Sequence, residues 1–338
     1  MKLRDDVVTL AHGAGGKATR ALVEGLFVDA FRNRALEPLG DAALVAVDGS
    51  LLAFTTDSYV VKPIFFPGGS IGDLAVNGTV NDLAVSGATP LWLSAGFVIE
   101  EGFAVADLRR VAADMARAAA AAGVAIATGD TKVVERGNAD GVYVNTAGLG
   151  LVAPGVHLRA ENVRPGDRVL VSGTLGDHGM AVMIARGDLK LEADLESDTA
   201  PLHALVGALL ELGEELRWLR DPTRGGLATA LNELACGAEV AVVLDEDALP
   251  IRPQVAGACE ILGIDPLYVA NEGKLVAVVS PDSADLAIDA LRALPIGVDA
   301  VIVGTVAQEP EGLVLLETSL GGRRIVDMLV GDPLPRIC

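Results

Sequence analysis

Apolar positions along the chain change period several times, and each change predicts an element. ALVAV and LLAFTTD, around the turn Asp48-Gly49-Ser50, read as a β-hairpin over 42–57. A Pro- and Gly-bearing loop follows, and a helix opens at Gly72-Asp73. LWLSAGFVI then reads as a strand, and 104–122 carries a helical pattern closed by Gly123. VAIATGDTKVV (124–134) and GVYVNTAGLGLV (141–152) are two further strands. The order β-β-α-β-α-β-β predicts a sheet covered by helices on one face, an α+β layer rather than a doubly wound parallel sheet.

Arg164-Pro165-Gly166-Asp167 punctuates the chain and starts a second, α/β domain. Its predicted elements are the strand RVLVSG, a helix over 176–186, an acidic loop at 188–199 and a helix over 200–217. Asp221-Pro222-Thr223-Arg224-Gly225-Gly226 then caps a helix running to about Cys236. EVAVVLDED, LYVAN (267–271), KLVAVVS and AVIVGTV read as strands. The resulting division is a glycine-rich segment 1–40, domains over 41–155 and 160–310, and a terminal hairpin with an extended tail over 311–338. Pro333 and Pro335 block helix and disfavour sheet in that tail, which reads as extended and mobile.

Polar positions interrupt this apolar pattern most conspicuously between Thr55 and Pro90. Asp57 ends a strand, and Asp73, Asn77, Asn81 and Asp82 sit among small and apolar residues, where acids are seldom left without partners. Hard oxygen donors of this kind suit Mg²⁺ held together with nucleotide phosphates. At 100° per residue Asp73, Asn77 and Asn81 share one helix face, whereas Asp82 lies about 180° from Asp73. Either the helix is interrupted or the two acids serve different sites, one across a subunit interface. Asp73 also suits a plain N-capping role. Gly129-Asp130-Thr131-Lys132 adds a second acid with a lysine beside it.

Composition narrows the function. A chain of 338 residues with a formal charge of −20 has no basic face for nucleic acid or anionic membrane, though a local nucleotide site stays open. No charged-then-apolar leader and no run of 18 apolar residues is present, so a cytoplasmic protein is expected. Three cysteines, Cys236, Cys259 and Cys338, make no CxxC pair, and four histidines show no zinc spacing. Cys236 and Cys259 lie on apolar helix patterns and read as core residues. Gly13-Ala14-Gly15-Gly16-Lys17 is not a Walker A loop, because Ala11 stands where that motif needs glycine. Its backbone N–H groups and Lys17 suit a phosphate cover or, equally, a mobile loop. A thiol as the final residue, Cys338, suits a nucleophile or carrier, or is a chance terminus.

Taken together, AHGAGGKAT, TTDSYVVKPIFFPGGSIGDLAVNGTVNDLAVSGATP, ATGDTKVV, DPTRGGLA, ANEGK and the terminal PRIC resemble the AIR-synthase-like (PurM-like) ATP-using family. Selenophosphate synthetase and thiamine-monophosphate kinase belong to the same group. The terminal PRIC, joined to the rest, is similar to the branch that matures [NiFe]-hydrogenases. The resemblance implies a two-domain PurM/AIR-synthase-like fold, a homodimer whose N-terminal sheets pair, and ATP bound near that interface. It implies that Cys338 receives a carbamoyl group from HypF, that ATP drives its dehydration to a thiocyanate, and that the HypC–HypD complex accepts the cyanide.

Such chemistry assigns candidate roles. Asp57, Asp73, Asp82 and Asp130 are the metal acids. Lys17, Gly15, Gly16, Asn77, Asn81, Thr131 and Arg224 are the nucleotide partners. Glu272, in Asn271-Glu272-Gly273-Lys274, is the base, with Lys132 as its partner. Arg224 suits phosphate binding or a plain ion pair. Two other readings compete. A selenophosphate synthetase would carry a reactive Cys near the glycine segment, which has none. A non-catalytic cysteine carrier would leave the acids unexplained.

Overall fold

The computed structural model describes residues 5–187, 193–329, 331, 334 and 336–338. Pro333 and Pro335, on which the reading of an extended tail rests, lie outside the described residues, as does the start of the expected loop at 188–199.

Five strands build the N-terminal sheet: β1 (Ala43–Val47), β2 (Ser50–Tyr59), β3 (Ala88–Glu100), β4 (Ala125–Val134) and β5 (Val142–Val152). Their order is β1-β2-β5-β3-β4, antiparallel except for the β3–β4 pair. Two helices, α1 (Ile71–Val85) and α2 (Val105–Ala122), follow one another along the chain between these strands. Ser70 caps α1 by accepting from the Gly72 and Asp73 N–H groups, and Gly123 ends α2 in the left-handed conformation. Almost every side chain of α1 is buried, as a helix flanked by a sheet on one side and a second domain on the other requires.

The opposite sheet face is open. Phe54 pairs with Leu149, which pairs with Trp92, and Phe54 and Trp92 are 50% and 53% exposed. Directly opposed residues point to the same face. Gly96 opposes Asp130, Val98 opposes Lys132, and Tyr143 opposes Val98, so Asp130 and Lys132 stand on this open face with Trp92. Asp57, Thr55 and Tyr59 alternate onto the helix-covered side.

The second sheet has seven strands: β6 (Arg168–Val171), β7 (Leu216–Arg220), β8 (Ala241–Asp245), β9 (Val276–Val279), β10 (Val301–Ala307), β11 (Val314–Glu317) and β12 (Arg323–Ile325). Their order is β12-β11-β8-β10-β6-β9-β7, with only β8 and β11 parallel. Alternation splits the core: Val169, Val171, Val276 and Val278 pack under the helix Gly226–Ala238, while Leu170, Ala277 and Val279 pack with the helices His203–Leu210 and Ala284–Arg292. Ala84 and Val85 of α1 join the second of these cores and tie the two domains together.

Three expectations are corrected. The helix expected over 200–217 ends at Leu210, and Leu216–Arg220 is an edge strand instead, held by pairing with β9. LYVAN is not a strand: Asp265 accepts from the Leu267 N–H at 2.9 Å and opens a 3-10 turn over Pro266–Tyr268. Cys259 is buried as expected, but Cys236 is exposed, on the outer side of its helix.

Candidate active site

Four chain segments far apart in sequence meet between the domains. Asp41 stands just before β1, Asp82 on the last turns of α1, and Asp221 at the end of β7; their carboxylate oxygens lie within 4.8 Å of one another. Thr55 Oγ1 on β2 lies 2.7 Å from the Asp41 carbonyl oxygen and 2.8 Å from Asp82 Oδ2. Asp57, two residues on, interacts electrostatically with Asp82 and accepts from the Tyr59 hydroxyl at 3.3 Å.

Burial, then the neighbouring carboxylates, raise these groups: Asp41 to about 6, Asp221 to about 8, and Asp82 well above the usual carboxylate range. Asp57 is pushed up by burial too. Arg220 pairs with Asp41 at 2.8 Å and Glu233 at 3.1 Å, and so neutralises only one side of the cluster. A buried set of hard oxygen donors short of positive charge fits Mg²⁺.

Cys338 comes to the same cleft. The tail docks on the segment after β2: the Val60 N–H donates to a backbone carboxylate oxygen of Cys338 at 2.9 Å, and the Lys62 N–H to the Arg336 carbonyl at 3.2 Å. Ile337 and Leu334 are 5% and 3% exposed and pack into the N-terminal core, while Arg336 pairs with Asp140. The end of the tail is thus anchored by buried side chains and backbone bonds. Its thiol, pushed up to about 12 by burial, lines the cleft with Arg224, whose charge opposes that rise.

Arg224 follows Asp221 in a turn whose Gly225 and Gly226 both have positive φ, 72° and 59°, which glycine adopts without strain. Its guanidinium also interacts with Asp57 and Glu272, and its Nη1 donates to the Gly13 carbonyl at 2.9 Å. That last bond seats the N-terminal glycine segment over the cleft. A side chain at Gly15 would meet Arg224 Cβ at 2.8 Å, so the segment approaches this closely only as glycine. Gly13, Ala14, Ser58, Val60, Arg224, Tyr268 and Cys338 line a cavity of ≈ 290 Å³ there.

Glu272 is 3% exposed. Its N–H donates to Asp198 Oδ1 at 3.0 Å and its carbonyl accepts from Asn81 Nδ2 at 3.2 Å. Burial, followed by the charges of Asp221, Asp198 and Asp57, holds its carboxyl well above the ordinary range, and Arg224 opposes this. Behind it Lys274 pairs with Asp198 at 3.1 Å.

The structure therefore sorts the candidates chosen from sequence. Asp57, Asp82, Glu272, Arg224 and Cys338 converge. Asp73 does not: α1 is unbroken, so Asp73 lies nine residues, about 13 Å, from Asp82 along the helix. It accepts from Ser70 Oγ at 2.9 Å and pairs with Arg117 at 2.9 Å. Asn81 is spent on the domain junction, donating to the Ala200 and Glu272 carbonyls and accepting from the Leu202 N–H at 2.7 Å. Asn77 donates to Thr199 Oγ1 at 3.1 Å, and its buried Oδ1 has no partner among the described residues.

Lys132 is not beside Glu272 within the chain. It pairs with Asp130 at 2.8 Å on the open sheet face, and both side chains are more than two-thirds exposed. Thr131 lines an open hollow of ≈ 480 Å³ at that edge. Lys17 pairs with Asp327 at 2.6 Å, its N–H donates to the Leu329 carbonyl at 3.0 Å, and Gly16 packs on that same carbonyl. Asp41 and Asp221 were missed from sequence. Asp221 opens the motif that supplied Arg224 and could have been read with it; Asp41, an acid in a loop, carries no local signal.

This architecture matches two domain profiles of the AIR synthase related protein family, the N-terminal domain over residues 39–152 and the C-terminal domain over 164–316. The carbamoyl dehydratase HypE of Rhodobacter capsulatus is 57% identical over 100% of both chains. Among solved structures, a HypE–HypF complex superposes with a TM-score of 0.87 at 48% identity, covering 91% of this chain and 100% of that one. A hydrogenase maturation protein HypE in complex with ATP gives 0.82 at 46% identity, covering 98% and 100%. The chain belongs to the AIR synthase related protein family and, within it, to the HypE family.

Proposed function

We infer that this chain is an ATP-dependent carbamoyl dehydratase, converting an S-carbamoyl group on Cys338 to a thiocyanate that supplies a cyanide ligand of the [NiFe]-hydrogenase iron. The observation that carries this reading is the placement of the terminal thiol: Cys338, partly buried, lines a cleft with Arg224, and the charges of Asp57 and Glu272 act on it. A carrier that only presented its cysteine would need no acids there.

An amide oxygen is a poor leaving group, and phosphorylation makes it a good one. In the first step the carbamoyl oxygen attacks the γ-phosphorus of ATP, and the bond to ADP breaks. In the second the two N–H protons are lost, the C–O bond breaks, and phosphate leaves with S–C≡N behind. Arg224 is placed to balance the charge that develops on the phosphorylated oxygen. Glu272 is the base for the N–H protons, its raised carboxyl giving a carboxylate of high proton affinity once ionised. Asp41, Asp82 and Asp221, with Asp57 adjoining, are the residues for Mg²⁺, which would neutralise triphosphate charge. The glycine segment is suited to cover the phosphates with backbone N–H groups, and Asn77 Oδ1, buried and without a partner among the described residues, is left open to a water beneath the nucleotide.

Lys132 and Asp130 enter through a homodimer. The open sheet face, with Phe54, Trp92 and Val98 exposed, is an apolar patch that a second copy would cover. Pairing these faces would bring Asp130 and Lys132 to the subunit interface. A HypF-type protein is the carbamoyl donor, a HypC–HypD-type complex the cyanide acceptor, and the cytoplasm the setting. No helix among the described residues is long and apolar enough to cross a membrane.

The test is the intact mass of the protein after incubation with HypF, carbamoyl phosphate and ATP. The expected result is one carbamoyl group on Cys338 that loses one water in step with ATP hydrolysis. ATP hydrolysis indifferent to carbamoylation, or a carbamoyl group that persists, would overturn the reading.

A further inference from the structure

The tail is held by more than backbone pairing. His178, fully buried on the helix Asp177–Ala185, has Nε2 2.7 Å from the carbonyl oxygen of Ile337, the residue before the reactive thiol. A carbonyl has no proton to give, so Nε2 carries the proton and Nδ1 is the acceptor. Nδ1 lies 2.8 Å from Ser197 Oγ, which must then donate to it. The Ser197 hydroxyl is oriented for this, because its oxygen already accepts from the Thr199 N–H at 3.2 Å. The hydrogen bonds of the chain Thr199–Ser197–His178–Ile337 thus have one consistent direction, and the imidazole and the Phe66 ring meet in a T-shaped contact, with centroids 5.6 Å apart.

Ser197 is itself fixed. Its N–H donates to the Pro67 carbonyl at 2.8 Å, and the neighbouring Asp198 accepts from the Glu272 N–H. Two adjacent residues therefore set the position of the tail through His178 and of Glu272 through its backbone.

We propose that His178, with its tautomer selected by Ser197, is a positioning residue that docks the C-terminal tail and places Cys338 in register with Glu272 and Arg224. A histidine filling core space would need neither a bond to the tail nor an ordered hydroxyl at its second nitrogen. The proposal rests on the dehydratase reading for the chemistry of Cys338, but docking itself requires no substrate. When Ile337 leaves, the buried Nε2–H loses its acceptor, so each excursion of the tail to a carbamoyl donor breaks this bond and each return remakes it.

The test measures alkylation of Cys338 by iodoacetamide in the full-length protein by peptide mass spectrometry, with the exposed Cys236 as internal reference. His178→Leu removes the donor and should raise the Cys338/Cys236 labelling ratio about five- to tenfold, the effect of one buried hydrogen bond. His178→Gln keeps a donor near the Nε2 position and should restore most of the parent ratio. Ser197→Ala, which changes little volume, should raise the ratio in the same direction; should His178→Leu fail to fold, this variant decides. In the dehydration assay His178→Leu should accept the carbamoyl group at the parent rate and convert it slowly. An unchanged ratio in the folded variants, or Gln no better than Leu, would overturn the proposal. A raised ratio in a protein whose parent forms no thiocyanate would instead overturn the dehydratase reading and leave the docking intact.

Discussion

The Val60 N–H donates to a backbone carboxylate oxygen of Cys338 at 2.9 Å, joining the last residue of the chain to the segment that leaves the strand bearing Asp57. A terminus is ordinarily the freest part of a chain. Here the residues that fix it, Val60, Lys62, His178, Ile337 and Leu334, are all distinct from the thiol, so anchoring and chemistry are separable.

Cys338→Ala is expected to fold and bind ATP as the parent does, since the backbone bonds and Ile337 burial remain. Its melting temperature should stay within about 2 °C of the parent, while modification and maturation activity are lost. Loss of ATP binding would show the thiol itself to be structural.

Asp82→Asn and Asp221→Asn each remove a charge from a cluster of like charges. Without metal both should be as stable as the parent or more so, because an amide escapes the burial penalty, and then the carboxylate repulsion, that raise these carboxyls. Mg-ATP turnover should fall by about 10²-fold or more. Thermal melts with and without Mg²⁺, beside steady-state ATPase rates, check both halves; undiminished turnover would remove that acid from the site.

Asp73→Asn is expected to differ. Losing the pair with the largely exposed Arg117 should cost about 1 kcal/mol or less, with Mg-ATP turnover unchanged. A turnover defect matching that of Asp82→Asn would return Asp73 to the metal site.

Glu272→Gln should bind ATP and take up the carbamoyl group yet form thiocyanate about 10²–10⁴-fold more slowly, as loss of a general base predicts. Quenched-flow mass analysis separates the two stages. Thiocyanate formed at the parent rate would exclude Glu272 as the base.

Stability of the metal-free protein should fall between about pH 7 and pH 8.5. Asp221, Asp82 and Glu272 have folded values raised above an unfolded carboxyl at about 4. The folded state therefore holds protons that the unfolded state has lost, and its stability declines as pH rises through the folded values, about 8 for Asp221. His178 and His203, both lowered by burial, act the other way but only below about pH 6.5, outside this window. Mg²⁺ should flatten the dependence by stabilising the ionised acids. A melting temperature that rises across the window without metal would contradict the assignment.

Local pattern alone determined much of this protein. The hairpin over 42–57, the helix closed at Gly123, and the single helix-covered face of the first sheet follow from periodicity and from glycine at a left-handed position. The 100° step of a helix also required Asp73 and Asp82 to part, and the structure shows which one stays with the site. What only the tertiary structure decided is convergence. Asp41, Asp82 and Asp221 come within 4.8 Å because α1 lies between the sheets of two domains, and no short window of sequence holds that approach. The same packing spends Asn81 on the domain junction and turns Lys132 to the opposite sheet face, although both look like site residues in sequence. Leu216–Arg220 becomes a strand because β9 offers an unpaired edge, a partner 60 residues away that outweighs the helical run before it. Side-chain type and local period are properties of neighbours in the chain. Partnership of buried charges is a property of neighbours in space, and the long-range hydrophobic packing of the two domains sets it.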